Sequence, residues 1–472
     1  MHVEQIYTGC LAQGTYYIIS NGEAAVIDPL REITPYLERA EKDNVKIKYV
    51  FETHFHADFV SGHVDLAKAT GAKIIYGPNA NPSFAATIAK DNEVFKLGGI
   101  TFQVLHTPGH TMESTCFLLR DEKGKETAVF TGDTLFIGDV GRPDLAQKAA
   151  HMTQDDLAGI LFESLRAKIT TLPDEVIVYP AHGAGSACGK NMSKETVSTI
   201  GDQKKYNYAL RATMSKAEFI KEVTDGLAPP PAYFPMNVAM NKEGYDSINV
   251  VMQRGMQALT AEAFEAASNQ SGAIMLDTRK GELFCNGFIP NSINIGLNGQ
   301  FAPWVGALIP DVKQQLLLIT EEGKEEESVM RLARVGYDFV IGYLEGGFES
   351  WKAAGKEFDT VNRISPQEFE KRFTTESPVV IDIRRPAEFE AGHLKNAFNI
   401  PLDSINNRLA EFPTNKPFIM HCASGFRTMI AASILKSRGW DNFTEVEGGF
   451  IGILKTDIPK SDIVTLSAEK TQ

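Results

Sequence analysis

Between Tyr16 and about Pro180, apolar residues gather in short runs cut by Gly, Pro and Asp. Examples are Tyr17-Ile-Ile-Ser, Ala25-Val-Ile-Asp, Lys73-Ile-Ile-Tyr, Thr101-Phe-Gln-Val-Leu and Ala128-Val-Phe-Thr. Brief β-branched and aromatic runs bounded by turn formers predict strands. Helical periodicity intervenes over residues 34–43, 62–70 and 153–170, and a polar helical stretch follows Ser193. Residues 228–235, Ala-Pro-Pro-Pro-Ala-Tyr-Phe-Pro, suit neither a helix nor a central strand. They predict a segment that drapes over the first domain or links it to the next.

The remaining chain repeats itself. Leu276-Asp-Thr-Arg279 recurs as Ile381-Asp-Ile-Arg384, and Gly287-Phe-Ile-Pro-Asn-Ser-Ile-Asn-Ile as Gly392-His-Leu-Lys-Asn-Ala-Phe-Asn-Ile, 105 residues later. Leu344-Glu-Gly-Gly-Phe recurs as Val446-Glu-Gly-Gly-Phe. Three segments recurring in order, each copy alternating strand and helix, predict two small α/β domains with parallel sheets. The expected boundaries are 1–250, 251–358 and 359–472.

Composition narrows the setting. The chain has 472 residues, formal net charge −13 and mixed acids and bases, which disfavours nucleic acid and anionic membrane as partners. No apolar stretch is long enough to span a membrane, and the first residues lack a secretory pattern. The five cysteines, Cys10, Cys116, Cys188, Cys285 and Cys422, are odd in number and widely spaced. That predicts a reducing, cytoplasmic setting in which a lone thiol stays reactive.

Thr53-His-Phe-His-Ala-Asp-Phe59 follows the β-rich run Ile47–Phe51. A loop at a strand end, carrying two imidazoles and a carboxylate, suits metal coordination. Later β-rich segments close on His110 in Thr-Pro-Gly-His, Asp133 in Thr-Gly-Asp and His182 in Tyr-Pro-Ala-His. In this order the segments resemble the metallo-β-lactamase superfamily over roughly residues 1–250. The resemblance implies an αββα sandwich with its metal at the loop ends along one edge. The superfamily's hydrolases carry a further His where this chain has Phe59, so a second metal site would keep only Asp58, His182 and a bridging Asp133. Similarity to persulfide dioxygenases implies His54, His110 and Asp133 as ligands of one Fe(II) per chain, with zinc the alternative in protein as isolated. His56, Asp58 and His182 would then support those ligands or remain from a second metal site. Arg142, in Gly138-Asp-Val-Gly-Arg-Pro-Asp144, and Cys188 are candidate substrate contacts. For Arg142, internal pairing with Asp139 or Asp144 is an equal alternative; for Cys188, burial as an inert thiol is the favoured one. Glutathione-using relatives carry Asp-Tyr after the last His, and this chain has Gly183-Ala184 there, which leaves the carrier thiol open.

In the last repeat Lys416–His421 reads as a buried strand running into Cys422-Ala-Ser-Gly-Phe-Arg427 and a helix. Backbone N–H groups and a helix N-terminus at such a loop stabilise a thiolate or persulfide anion, and Arg427 adds a cation. This resembles the rhodanese sulfurtransferases over about residues 360–455, with Cys422 and Arg427 implied as catalytic. The middle repeat has Glu321-Glu-Gly-Lys-Glu-Glu-Glu327 after its corresponding strand, and is expected to be inactive, a spacer, docking surface or dimer contact. Its Phe301-Ala-Pro-Trp304 insertion is apolar enough to cover a neighbouring domain.

Together these resemblances imply a homo-oligomeric α/β enzyme that oxidises a low-molecular-weight thiol persulfide with O₂ to sulfite and thiol. Cys422 would move sulfane sulfur, making or using thiosulfate. A glyoxalase-type thioester hydrolase and a non-enzymatic persulfide sensor are the competing readings.

Overall fold

The structure is a computed structural model and describes residues 1–227 and 229–461. Ala228, which opens the Pro-rich run, and residues 462–472, the end of the third expected domain, lie outside the described residues. The chain forms two compact units, Met1–Val250 with Ala333–Gly336, and Val251–Leu332 with the chain from Tyr337.

In the first unit β1 (His2–Thr8), β2 (Gln13–Ser20), β3 (Glu23–Ile27), β4 (Lys46–Phe51), β5 (Lys73–Tyr76) and β6 (Thr87–Ile88) form one sheet in sequential order. A second sheet holds β7 (Val94–Leu97), β8 (Ile100–His106), β9 (Thr115–Arg120), β10 (Glu126–Gly132), β11 (Ile177–Pro180) and β12 (Ser198–Thr199). Successive side chains of a strand point to opposite faces, which sorts the apolar residues into three layers. Tyr16, Ile18, Phe51, Phe117, Leu119 and Phe130 meet between the sheets. Tyr17, Val26 and Val50 face Tyr36 and Leu66 of the helices Thr34–Lys42 and His63–Thr70. Cys116, Leu118 and Val129 face Leu161 and Phe219 of the helices Gln154–Ser164 and Lys216–Thr224. This is an αββα sandwich, with both sheets buried on both faces.

The Pro-rich run departs from the sequence expectation at its end, because Pro235 lies in the first turn of the helix Phe234–Glu243. A first-turn proline lacks only an N–H that would have had no intrahelical partner, so the helix tolerates it.

The second unit holds two five-stranded parallel sheets. In the middle repeat β13 (Ala258–Leu259), β14 (Ile274–Asp277), β15 (Ile293–Asn294), β16 (Leu316–Ile319) and β17 (Val340–Leu344) are ordered β13-β17-β16-β14-β15. In the last repeat β18 (Arg363–Ile364), β19 (Val379–Asp382), β20 (Phe398–Asn399), β21 (Phe418–His421) and β22 (Phe443–Val446) take the same order. Phe301 and Trp304 lie on the helix Phe301–Leu308 and are buried, and Asn406 of the last repeat donates to Leu308 O at 3.2 Å. Among the described residues no helix is long and apolar enough to cross a membrane.

Candidate metal centre and cysteine loop

The loops after β4, β8, β10 and β11 bring His54, His110, Asp133 and His182 to one end of the sandwich. Metal-binding atoms of His54, His110 and Asp133 all lie within 4.8 Å of one another. His54 Nε2 is 3.7 Å, and His110 Nε2 3.4 Å, from Asp133 Oδ2. Two glycines permit this approach. A Cβ on Gly132, whose φ is +52°, would come within 2.6 Å of Thr53, and one on Gly141 within 2.8 Å of His110 Nδ1.

Hydrogen bonds orient each donor. Thr53 Oγ1 donates to Asp28 Oδ2 at 2.8 Å and therefore accepts from His54 Nδ1 at 2.9 Å. His110 Nδ1 donates to Arg142 O at 2.9 Å. Both Nε2 lone pairs are thus free to face an ion, the usual work of the groups around metal-ligating imidazoles. Asp133 Oδ1 accepts from His182 Nδ1 at 2.8 Å, whereas Oδ2 is buried without a hydrogen-bond partner. A buried carboxylate oxygen left bare is costly unless a cation satisfies it, so the residues present fit a metal ion.

Electrostatics agree with this assignment of roles. Burial, reinforced by His56, pushes His54 well below the ordinary imidazole range, leaving it a neutral donor. Burial alone would raise Asp133, but His182 and His54 outweigh it and hold the group a carboxylate. For His182 burial pulls the pKa down, and Asp133 and Asp58 together reverse the sign. His182 is therefore a proton-bearing bridge, its Nε2 lying 2.9 Å from Asp58 Oδ2.

The remaining sequence candidates take distinct places. Cys188 groups with Asp58 and His182, ligand atoms within 4.8 Å, and burial with Asp58 nearby pushes its thiol pKa well up. Arg142 forks onto Asp144 at 2.6 and 2.7 Å and donates to Ala187 O at 3.1 Å, the internal pairing with Asp144 that the sequence allowed. Phe59 is fully buried, its ring 4.3 Å from that of His56. His56 turns toward Asp28, Nε2 to Oδ1 3.1 Å, and Glu52.

Sequence reasoning did not single out Asp28, Glu52, Ser61 or Asn241. Asn241 Nδ2 donates to His56 O and Phe59 O at 2.8 Å, clasping the loop 54–59 from the helix Phe234–Glu243. The signal for Asp28 was only its place at the end of an apolar run, the same logic that marked His54 and Asp133.

In the second unit Cys422 follows β21 and is buried, and the Gly425 N–H donates to its Sγ at 3.1 Å. The helix Phe426–Ser437 starts immediately beyond, so the loop presents a donor and a helix N-terminus to the sulfur. Arg427 is not free: its fork binds Glu388 at 2.6 and 2.7 Å. The frame of the middle repeat also shifts by one residue from the sequence alignment. Asp277 pairs with Ile319 and Asp382 with His421, so Thr320, not Glu321, stands at the position of Cys422.

The metallo-beta-lactamase superfamily profile matches residues 9–182, and the rhodanese-like domain profile matches residues 260–354 and 365–456. The chain is 30% identical over 239 residues to hydroxyacylglutathione hydrolase of Polaromonas sp. (strain JS666), covering 45% of this chain and 86% of that protein. It is 29% identical over 220 residues to the human mitochondrial persulfide dioxygenase ETHE1, covering 46% of this chain and 78% of that one. A solved structure titled metallo-beta-lactamase, from Staphylococcus aureus subsp. aureus COL, is 30% identical with TM-score 0.64, covering 73% of this chain and 98% of that one. The chain belongs to the metallo-β-lactamase superfamily. More particularly, it is an enzyme in which a domain of that superfamily is fused to two rhodanese-like domains.

Proposed function

We propose that the chain is a persulfide dioxygenase with a sulfurtransferase domain, acting on a low-molecular-weight thiol persulfide, in the overall reaction RSSH + O₂ + H₂O → RSH + H₂SO₃. The observation that carries this reading is the donor set: two imidazoles and one carboxylate, with His56 turned toward Asp28 and Glu52 and Phe59 where a further His would stand. Fe(II) held by His54, His110 and Asp133 would supply O₂ activation, the chemistry suited to a two-His, one-carboxylate face with open positions. Asp133 would hold the ion through Oδ2, which has no hydrogen-bond partner, while Oδ1 stays on His182. His182, between Asp133 and Asp58, holds a proton beside the site for the departing thiolate. Cys422 takes or gives sulfane sulfur, its sulfur anion stabilised by the Gly425 N–H and the helix behind it. The likeness to human persulfide dioxygenase supports the reading.

The relatives named hydroxyacylglutathione hydrolase support a second one, thioester hydrolysis. That chemistry favours two ions that generate and orient hydroxide. Here the second position has Asp58, His182 and Cys188 beside the apolar ring of Phe59.

The deciding experiment supplies Fe(II)-reconstituted protein with glutathione persulfide, coenzyme A persulfide and S-lactoylglutathione. The expected result is O₂ uptake with equimolar sulfite, abolished by chelation of the metal. Thioester cleavage without O₂ uptake overturns the proposal in favour of the hydrolase.

A further inference from the structure

We infer that Asp28 and Glu52 are positioning residues that keep His56 out of the metal's coordination sphere, and so set the ligand count at two imidazoles. This rests on the metal reading of His54, His110 and Asp133 given above, and explains why that site keeps open positions.

In a His-x-His loop both imidazoles leave the same short turn, and here their ring centroids are only 4.2 Å apart. Sequence spacing alone therefore offers three imidazoles, His54, His56 and His110, to one ion. The geometry sends His56 elsewhere. Its Nε2 lies 3.1 Å from Asp28 Oδ1 and 3.7 Å from Glu52 Oε2. Its ring centroid lies 4.2 Å from that of His54 and 4.3 Å from that of Phe59, the latter ring inclined by 30°.

The two carboxylates are themselves anchored. Asp28 accepts from the Thr53 N–H and from Thr53 Oγ1, both at 2.8 Å. Glu52 Oε1 accepts from Ser61 Oγ at 2.6 Å. Asp28, Glu52, His56 and Ser61 are all buried to within 1% of complete exclusion from water. Moving His56 to the ion would take its Nε2 away from Asp28 Oδ1, its near neighbour at 3.1 Å, and from the Glu52 carboxyl. Asp28 has two tasks: through Thr53 it orients His54 toward the ion, and directly it holds His56 away.

Phe59 takes on a second meaning as well. Besides removing a ligand from the second metal position, its ring packs flat enough on His56 to hold the turned-away rotamer. On a six-coordinate ion, three imidazoles and Asp133 would leave two exchangeable positions in place of the three that two imidazoles and Asp133 leave.

The test counts imidazoles by X-ray absorption on the full-length protein loaded with one equivalent of Fe(II), with Co(II) as a second probe. The expected count is two in the wild type, two in His56→Ala, and, in Glu52→Leu combined with Asp28→Asn, one imidazole more than in the same double variant carrying His56→Ala. Three imidazoles in the wild type, one fewer in His56→Ala, or equal counts in the double and triple variants overturns the inference, as does a second ion bound at Asp28, Glu52 and His56. Thermal melts establish that each variant is folded, and if the double variant is not, the wild-type and His56→Ala counts decide. A wild type that shows two imidazoles but no O₂ uptake with persulfide leaves this inference standing and removes the dioxygenase reading.

Discussion

In the middle repeat Arg279 forks onto Asp277, Nε to Oδ1 2.9 Å and Nη2 to Oδ2 2.6 Å, and reaches Gly287 O at 2.9 Å. In the last repeat Arg384 does the same to Asp382 at 3.0 and 2.6 Å, and reaches Gly392 O at 2.7 Å. Asn294 Nδ2 donates to Asp277 O and Arg279 O, and Asn399 Nδ2 to Asp382 O and Arg384 O. Phe348 and Phe450 lie under the two guanidinium groups at 4.4 and 3.9 Å. What differs is the turn after the fourth strand. Cys422, the Gly425 N–H and Arg427 occupy it in one repeat; Thr320 and a run of glutamates occupy it in the other. The difference extends to the sheet edge, where Arg363 and Glu445 are register partners with a 2.7 Å ion pair in the last repeat, and Ala258 and Tyr343 are partners in the middle one. The shared frame and the proposed sulfur chemistry therefore rest on different residues: one set of buried polar bonds recurs in both domains, and the loop at Cys422 is confined to the last.

The largest expected effect breaks the chemistry and spares the frame. Cys422→Ser should lower sulfur transfer from thiosulfate to cyanide by more than about 10³-fold, over ~4 kcal/mol of transition-state stabilisation. O₂ uptake should persist, because its donors lie in the other unit, and equal loss of both activities would refute the division of labour. The next effect breaks the frame in both repeats alike. Arg279→Met and Arg384→Met each remove one partner from a buried pair and should destabilise by about 3–5 kcal/mol, read from denaturant unfolding. A large cost in one repeat and none in the other would show that the shared bonds are not equivalent.

How far the sequence foretold this molecule depends on the range of each interaction. Strand and helix positions were legible from Tyr17–Ser20 or Thr34–Asp43 because period and turn formers are local signals. So were the candidate metal-binding His54, His110 and Asp133, each at a strand end, which the fold brings together. Partners such as Asp28 for Thr53 or Asn241 for the loop at His56 were not, since 25 and 185 residues separate them in the chain. The one-residue shift at Thr320 escaped for a different reason. Thr is as content in a strand as just beyond it, and only pairing of Ile319 with Asp277 decides where β16 ends.

A smaller effect sharpens the contrast within the active loop. Arg427 is neutralised by Glu388 as well as facing the loop. Arg427→Met should therefore lower kcat/KM for sulfur transfer by roughly tenfold, about 1.4 kcal/mol, and not by the full factor lost with Cys422. A loss as large as that of Cys422→Ser would mean that Arg427 touches the transferred sulfur directly.

The smallest expected effect is none at all, and it tests separability most directly. Thr320→Cys, made in a Cys422→Ser background, places a thiol at the position of the active cysteine on an intact frame. The neighbouring turn still carries Glu321 and Glu322, and the helix that follows opens with Glu325, Glu326 and Glu327. Acids in a first helical turn are stabilised by the helix dipole and offset the positive end that would otherwise favour a sulfur anion. Glu325 Oε1 lies 3.2 Å from Thr320 Oγ1, so a carboxylate would sit beside the new sulfur. Mass spectrometry after incubation with thiosulfate should find no added sulfur on the variant, while wild-type protein carries one sulfane sulfur at Cys422. A persulfide on the variant would mean that the frame alone activates a thiol, and that the middle repeat is silent for want of one atom rather than for want of the loop.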